Sequence, residues 1–190
     1  FMKNVSSFYN KKGWQYKNDI SLDSSLFEDN REVAKKYIKN CRLKVLDFIP
    51  SKGLNFLDFA SGPIQYQEYL KYSKNFKLRH CVDFSRQAIK VAKKKLKKKG
   101  KYYPKDFMKI NFPNNFFDCT LSMHTIYHIN KNNQEKVVRK LLKITKPNKP
   151  IIIVYSNPFP LIKRIYSIFI RQKKNKLLYF YCYPIEWWKR

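Results

Sequence analysis

Residues 55–65 read Asn55-Phe-Leu-Asp58-Phe-Ala60-Ser-Gly62-Pro-Ile-Gln65, and residues 80–85 read His80-Cys-Val-Asp83-Phe-Ser85. The first stretch is an apolar strand that ends at Asp58, turns tightly at Gly62 and enters a helix. The second is a short strand that ends at Asp83. That order is half of a nucleotide-binding βαβ unit, in which a small turn residue lets the backbone approach the ligand and the second carboxylate reaches a ribose hydroxyl. The separation of Gly62 and Asp83 is close to the ~20 residues usual between such a glycine and its carboxylate. No G-x-G-x-x-G accompanies it, so the expected ligand is a nucleoside without a pyrophosphate.

Outward from this unit, strands and helices alternate. The pattern predicts a helix over 64–73 with Tyr66, Tyr69 and Leu70 facing inward, then a strand over 79–84. Ser85 is an N-cap for a helix whose Ala88, Ala92 and Leu96 form a narrow apolar stripe beside two lysine triplets. A short strand follows at 102–106, and a continuously apolar one at 117–123, as a strand covered on both faces should be. Asn133 opens a helix with Val137, Val138, Leu141 and Leu142 inward, and 151–155 is the fifth strand. The alternation implies an α/β fold, a doubly wound, mostly parallel sheet with helices on both faces and ligands at the carboxyl ends of the strands.

In order and spacing, Leu57-Asp-Phe-Ala-Ser-Gly62, Val82-Asp83, Lys105-Asp106, the run from Phe117 to His124 and the run from Pro150 to Tyr155 resemble the successive strand ends of class I S-adenosylmethionine-dependent methyltransferases. The resemblance spans residues 54–156 and implies a Rossmann-like core that binds S-adenosylmethionine. The family's first motif is Asp/Glu-x-Gly-x-Gly-x-Gly. Here it reads Asp58-x-Ala60-x-Gly62-x-Ile64, so only the middle glycine stands. By the resemblance, Asp58 orients the cofactor's amino group, directly or through water, above the backbone turn of Ala60, Ser61 and Gly62. Asp83 accepts hydrogen bonds from the ribose hydroxyls, with Phe84 beside it. Asp106 takes the exocyclic amine of the adenine, and Phe107 covers a face of the ring. His124 stands where the family lines the methyl-transfer site, as a substrate-side group or catalytic base.

His124 and His128 have a spacing that can put two imidazoles on one helical face, but no third ligand is evident and no metal is expected. Asn157-Pro-Phe-Pro160 is superficially similar to the Asn-Pro-Pro-Tyr/Phe signature of amino-methylating DNA enzymes. That signature belongs after the fourth strand, where Ser122-Met-His124 stands, so adenine-N6 methylation of DNA is disfavoured.

With 190 residues, 44% of them hydrophobic, the chain can bury one full core. Residues 1–53 are read as an N-terminal helical cap. Val33, Tyr37, Cys41 and Val45 recur every fourth residue in a helix from about residue 26, and Phe8, Tyr9, Trp14 and Tyr16 either form a lid over the cofactor or cover the sheet. Residues 54–156 are the cofactor-binding core. Residues 157–190 form a substrate-side segment, with a basic amphipathic helix over 161–171 that covers the acceptor pocket or touches a membrane surface. The family's closing antiparallel hairpin has no room there, so the chain is read as a fragment lacking it.

The net charge of +28 favours polyanions at low salt. Yet only eight of the 41 basic residues are Arg, the pattern of an A- and T-rich genome, and a lysine-rich helix face is ordinarily solvated. Four dispersed cysteines with no C-x-x-C pair point to a reduced, cytoplasmic protein, and no apolar run is long enough to span a membrane. The expected activity is methylation of a small or medium-sized acceptor, a metabolite or a sugar or lipid precursor. The alternatives are an RNA methyltransferase, for which the charge speaks, and a non-catalytic binding protein, for which the irregular first motif speaks.

Overall fold

Strand pairing follows directly from the apolar runs. In the computed structural model, which describes residues 7–17, 20–29, 31–155 and 179–189, five strands form one parallel sheet: β3 (Gly53–Phe59), β4 (Phe76–Val82), β5 (Gly100–Tyr103), β6 (Cys119–Met123) and β7 (Ile151–Val154). Their order across the sheet is β5-β4-β3-β6-β7. The reversal lies between β3 and β6, the place where an open α/β sheet opens a crevice. A separate two-stranded ribbon, β1 (Tyr16–Lys17) with β2 (Ile20–Ser21), belongs to the cap.

Side chains alternate across the central strands, so each face of the sheet receives its own core. On one face Leu57 and Phe59 pack with Val82, Phe117 and the inward side of α5 (Lys131–Ile144). On the other, Phe56 packs with Val45, Tyr72, Phe76, Cys119 and Leu121. Cys81 meets Ile64 and the Ile89 and Ala92 face of α4 (Arg86–Leu96), which Ser85 caps by accepting from the Ala88 N–H at 3.1 Å.

Several sequence expectations shift. The cap helix is two: α1 (Leu22–Phe27), capped by Ser21, and α2 (Glu32–Lys44). Of the expected Val33-Tyr37-Cys41-Val45 stripe, Val33 and Tyr37 face out, 88% and 70% exposed, whereas Cys41 lines the cavity described below and Val45, just past α2, is buried. Ile38 and Arg42, one position on, face inward. The helix expected from Ile64 begins three residues later as α3 (Gln67–Lys71), because Ile64 has φ 53°, outside the right-handed helix. Leu142 is 60% exposed, and Gln134 and Ile144 take inward places on α5. Among the described residues the sheet ends at β7, and no helix is long and apolar enough to cross a membrane. The 156–178 stretch, with Asn157 and the 161–171 helix, lies outside the described residues. Within 179–189 a short helix, α6 (Ile185–Trp188), ends the described chain.

Candidate functional site

The parallel register lines up the strand ends. Phe59 lies opposite both Val82 and Ser122, and Val82 opposite Tyr103. The residues that follow each strand, Ala60, Asp83, the 105–108 turn and His124, therefore emerge along one edge of the sheet. They line a cavity of about 780 Å³, roofed by Tyr9 and Trp14 and walled by α1 and α2. All eight residues expected to hold the cofactor line this cavity, and so does His124. Of the N-terminal aromatic residues singled out in the sequence, Tyr9 and Trp14 line the cavity.

The turn after β3 is unusual. Ala60, Gly62 and Ile64 have φ of 57°, 55° and 53°, so alternate residues of the motif adopt the left-handed conformation. Glycine takes it without cost, and β-branched isoleucine is an outlier there. Ile64 is held by complete burial against Cys81, Ile89 and Ala92. A Cβ on Gly62 would stand 3.3 Å from the Trp14 indole, so the space at this glycine is filled by the lid.

Asp83 is held rigidly. Its Oδ2 accepts from the Gly62 N–H at 2.9 Å and its Oδ1 from the Ser85 N–H at 2.7 Å. Burial pushes its carboxyl up to about 6, with the Ser85 and Gly62 bonds opposing and Asp58 adding repulsion. Each oxygen keeps a lone pair for a further donor. Asp58 has a partner that sequence reasoning missed. Arg79 on β4, 2% exposed, donates from Nε to its Oδ2 at 3.0 Å and from Nη2 to the same oxygen, while its Nη1 reaches the Tyr69 carbonyl. A buried arginine without its carboxylate would be costly, so the two are a unit. Asp58 Oδ1 takes no part in it.

Asp106 caps a short helical turn, Phe107–Lys109, by accepting from the Met108 N–H at 2.9 Å. Phe107 lines the cavity with little exposed surface, 3%, because its ring packs on Phe59 at 4.6 Å between centroids in the core that forms the wall. Its neighbour Met108, 43% exposed, and Phe84, 37% exposed, present more apolar surface to the cavity.

His124 also has a left-handed backbone, φ 53°, and its N–H is tied to the Val154 carbonyl at 2.9 Å. Its ring is exposed to the cavity and makes no hydrogen bond among the described residues. Surrounding protein lowers its pKa, Glu28 raising it and Arg42 lowering it further, so the imidazole is neutral at pH 7. His128 lines the same cavity, and its Nδ1 donates to the Tyr179 carbonyl at 2.8 Å, which leaves the lone pair on Nε2. Among the described residues no group of three or more His, Cys, Asp or Glu could hold a metal ion. Of the segment expected to cover the acceptor side, residues 179–189 are described. They brace the wall from behind, through Tyr179 on His128 and through the Tyr181 N–H on the Tyr127 carbonyl at 2.8 Å.

Comparison with known proteins follows the same outline. A family profile described as a methyltransferase domain matches residues 57–153. The solved complex of DhpI with SAM and HEP aligns with 91% of this chain and 73% of its own, at 14% identity and a TM-score of 0.63. A SAM-dependent methyltransferase from Leishmania major aligns with 83% of this chain and 61% of its own, at 13% identity and a TM-score of 0.63. For one from Archaeoglobus fulgidus the shares are 88% and 70%, at 17% identity and a TM-score of 0.63. Likeness at such identities speaks for the fold. No curated protein matches the sequence.

Proposed function

This chain belongs to the methyltransferase-domain family of S-adenosylmethionine-dependent enzymes, and on that premise we propose that it methylates a small or medium-sized acceptor, a metabolite or a sugar or lipid precursor. The observation that carries the reading is the single cavity of about 780 Å³ that holds both the cofactor residues and His124 beneath the aromatic lid. That volume suits a small-molecule site, and the roof of Tyr9 and Trp14 leaves little access for a folded polymer.

The residues present fit the cofactor. The Trp14 indole N–H is buried, lines the cavity and has no partner in the protein, so it is a donor awaiting an acceptor. Asp83 offers fixed acceptors to a ribose, Asp106 one to an exocyclic amine, and Phe84 with Met108 an apolar bed for a flat base. Asp58 Oδ1, with Arg79 fixing the other oxygen, suits an amino group. The cofactor supplies a methyl group activated by its sulfonium, so the protein's task is alignment, exclusion of water and removal of one proton. His124, neutral and unbonded at the strand end, is the base we assign, and the Nε2 of His128 is a second acceptor within the same wall.

Calorimetry with S-adenosylmethionine and S-adenosylhomocysteine tests the premise. Labelled-methyl transfer to pooled small metabolites, with RNA as a comparison, tests the acceptor class. Binding together with small-molecule labelling is the expected outcome. Labelling of RNA alone, surviving physiological salt, would overturn the small-acceptor reading.

A further inference from the structure

The charge of the cavity runs against the charge of the chain. Among the described residues six acidic side chains line it, against four lysines and arginines. Five of the six are engaged: Asp58 with Arg79, Glu28 with Arg42 at 2.8 Å, Asp29 with Arg31, and Asp83 and Asp106 with backbone N–H groups at the strand ends. Asp23, in the first turn of α1, is bound among the described residues only by a side-chain hydroxyl. Its carboxylate accepts from the Tyr9 hydroxyl at 2.9 Å and has no cationic partner among the described residues.

An uncompensated carboxylate in a chain with three bases for every acid calls for a reason. Burial and the nearby Glu28 push the Asp23 carboxyl up to about 6, against the Tyr9 bond, so at neutral pH the protein holds a poorly solvated negative charge at the cavity. The surroundings are aromatic. Tyr9 stacks on Trp14 at 5.1 Å between centroids, and Tyr69 and Tyr127 line the same cavity. A carboxylate among aromatic faces is the chemistry that receives an organic cation, by charge on one side and by ring quadrupoles on the others.

We propose that this end of the cavity binds a cationic nitrogen of the acceptor, an amine or ammonium group received by Asp23 and the rings of Tyr9 and Tyr127. The inference rests on the methyltransferase reading and narrows its acceptor to nitrogen-bearing compounds. The cofactor's own amino group has a different carboxylate, Asp58, beneath the turn at Gly62.

The test uses the full chain saturated with S-adenosylhomocysteine, titrated calorimetrically with choline and with the uncharged carbon isostere of choline. Choline should bind at least about tenfold tighter than the isostere. Asp23→Asn, nearly isosteric, should abolish that preference while S-adenosylhomocysteine affinity stays within about twofold. Tyr9→Phe, which keeps the ring and frees the carboxylate, should retain a reduced preference. Equal affinity for the two probes in the unmodified chain, or a preference that survives Asp23→Asn, overturns the assignment. Failure of S-adenosylhomocysteine to bind at all would sink the methyltransferase reading itself, and this inference with it.

Discussion

Ala60, Gly62 and Ile64 show why alternating glycines recur in the family's first motif: the turn needs three left-handed residues in alternate positions. This chain keeps the turn with one glycine and accepts strain at the other two positions. At Ala60 the left-handed cost of about 1–2 kcal/mol outweighs the extra entropy a glycine loses, about 0.5–1 kcal/mol, so Ala60→Gly should stabilise by up to about 1.5 kcal/mol. Ile64→Gly should do the reverse. Losing a fully buried isoleucine costs roughly 2–5 kcal/mol, more than the strain relieved. Urea denaturation of the two variants checks the pair, and equal signs would refute the argument. At Asp83, alanine should weaken cofactor binding by about 1–3 kcal/mol through loss of charge-assisted hydrogen bonds. Because its folded-state carboxyl titrates at about 6, S-adenosylhomocysteine affinity should fall as pH drops through that value. Asp83→Asn should flatten the dependence, measured by calorimetry between pH 5 and 8.

At the scale of elements, β4 carries two buried polar residues that its neighbours satisfy. Arg79 points to the Asp58 face, and His80 to the opposite one. His80 donates from Nε2 to Asn55 Oδ1 at 3.1 Å, and its Nδ1 accepts from the Tyr103 hydroxyl at 3.1 Å, so the ring is held neutral. Burial, aided by Lys101, lowers its pKa from 6.5 to about 4. Between those values the unfolded chain binds a proton that the folded chain does not, so this contribution to stability is lost as pH falls from 6.5 to 4. Asp23 and Asp83, raised from 3.8 to about 6, act with the opposite sign, since the folded chain holds their protons longer. The difference between unmodified chain and His80→Asn isolates the histidine. That gap should shrink by roughly 2–3 kcal/mol from pH 7 to pH 4 in denaturant titrations. A constant gap would place His80 outside the linkage.

Across the whole molecule, the cap and the 179–189 segment both pack onto the core around the site. The cap is tied to the core by Ser24 and Glu28 on the Tyr66 hydroxyl, and by Arg42 stacked 3.1 Å over the Tyr66 ring. In the 179–189 segment Trp188 packs on Tyr155 at 4.9 Å between centroids, while Gln134 bonds the Tyr181 carbonyl at 2.8 Å. Residues 179–189 are therefore packed into the fold. Trp188→Ala should cost about 2–3 kcal/mol and lower Tm by roughly 4–10 °C, read by thermal circular dichroism. An unchanged Tm would show that the segment is dispensable.

What was legible in the sequence was the sheet and the residues at its strand ends. A strand buried on both faces must be continuously apolar, and a carboxylate closing such a run stands out. Asp58, Asp83 and Asp106 thus reached one cavity as read. Local pattern misled where register within a helix decides the outcome. Val33 and Tyr37 have the period of an inward face with Cys41, but the docking of α2 left those two exposed and turned Ile38 and Arg42 inward. Phe107, expected against the adenine, lines the cavity and is at the same time part of the core, because its direction depends on packing against Phe59 as well as on its place after Asp106. The Arg79–Asp58 pair and the hydroxyl contact of Asp23 with Tyr9 leave no periodic trace. Contacts between residues far apart in sequence carry no spacing rule, so only the tertiary structure determines which charges meet and which one is left for a ligand.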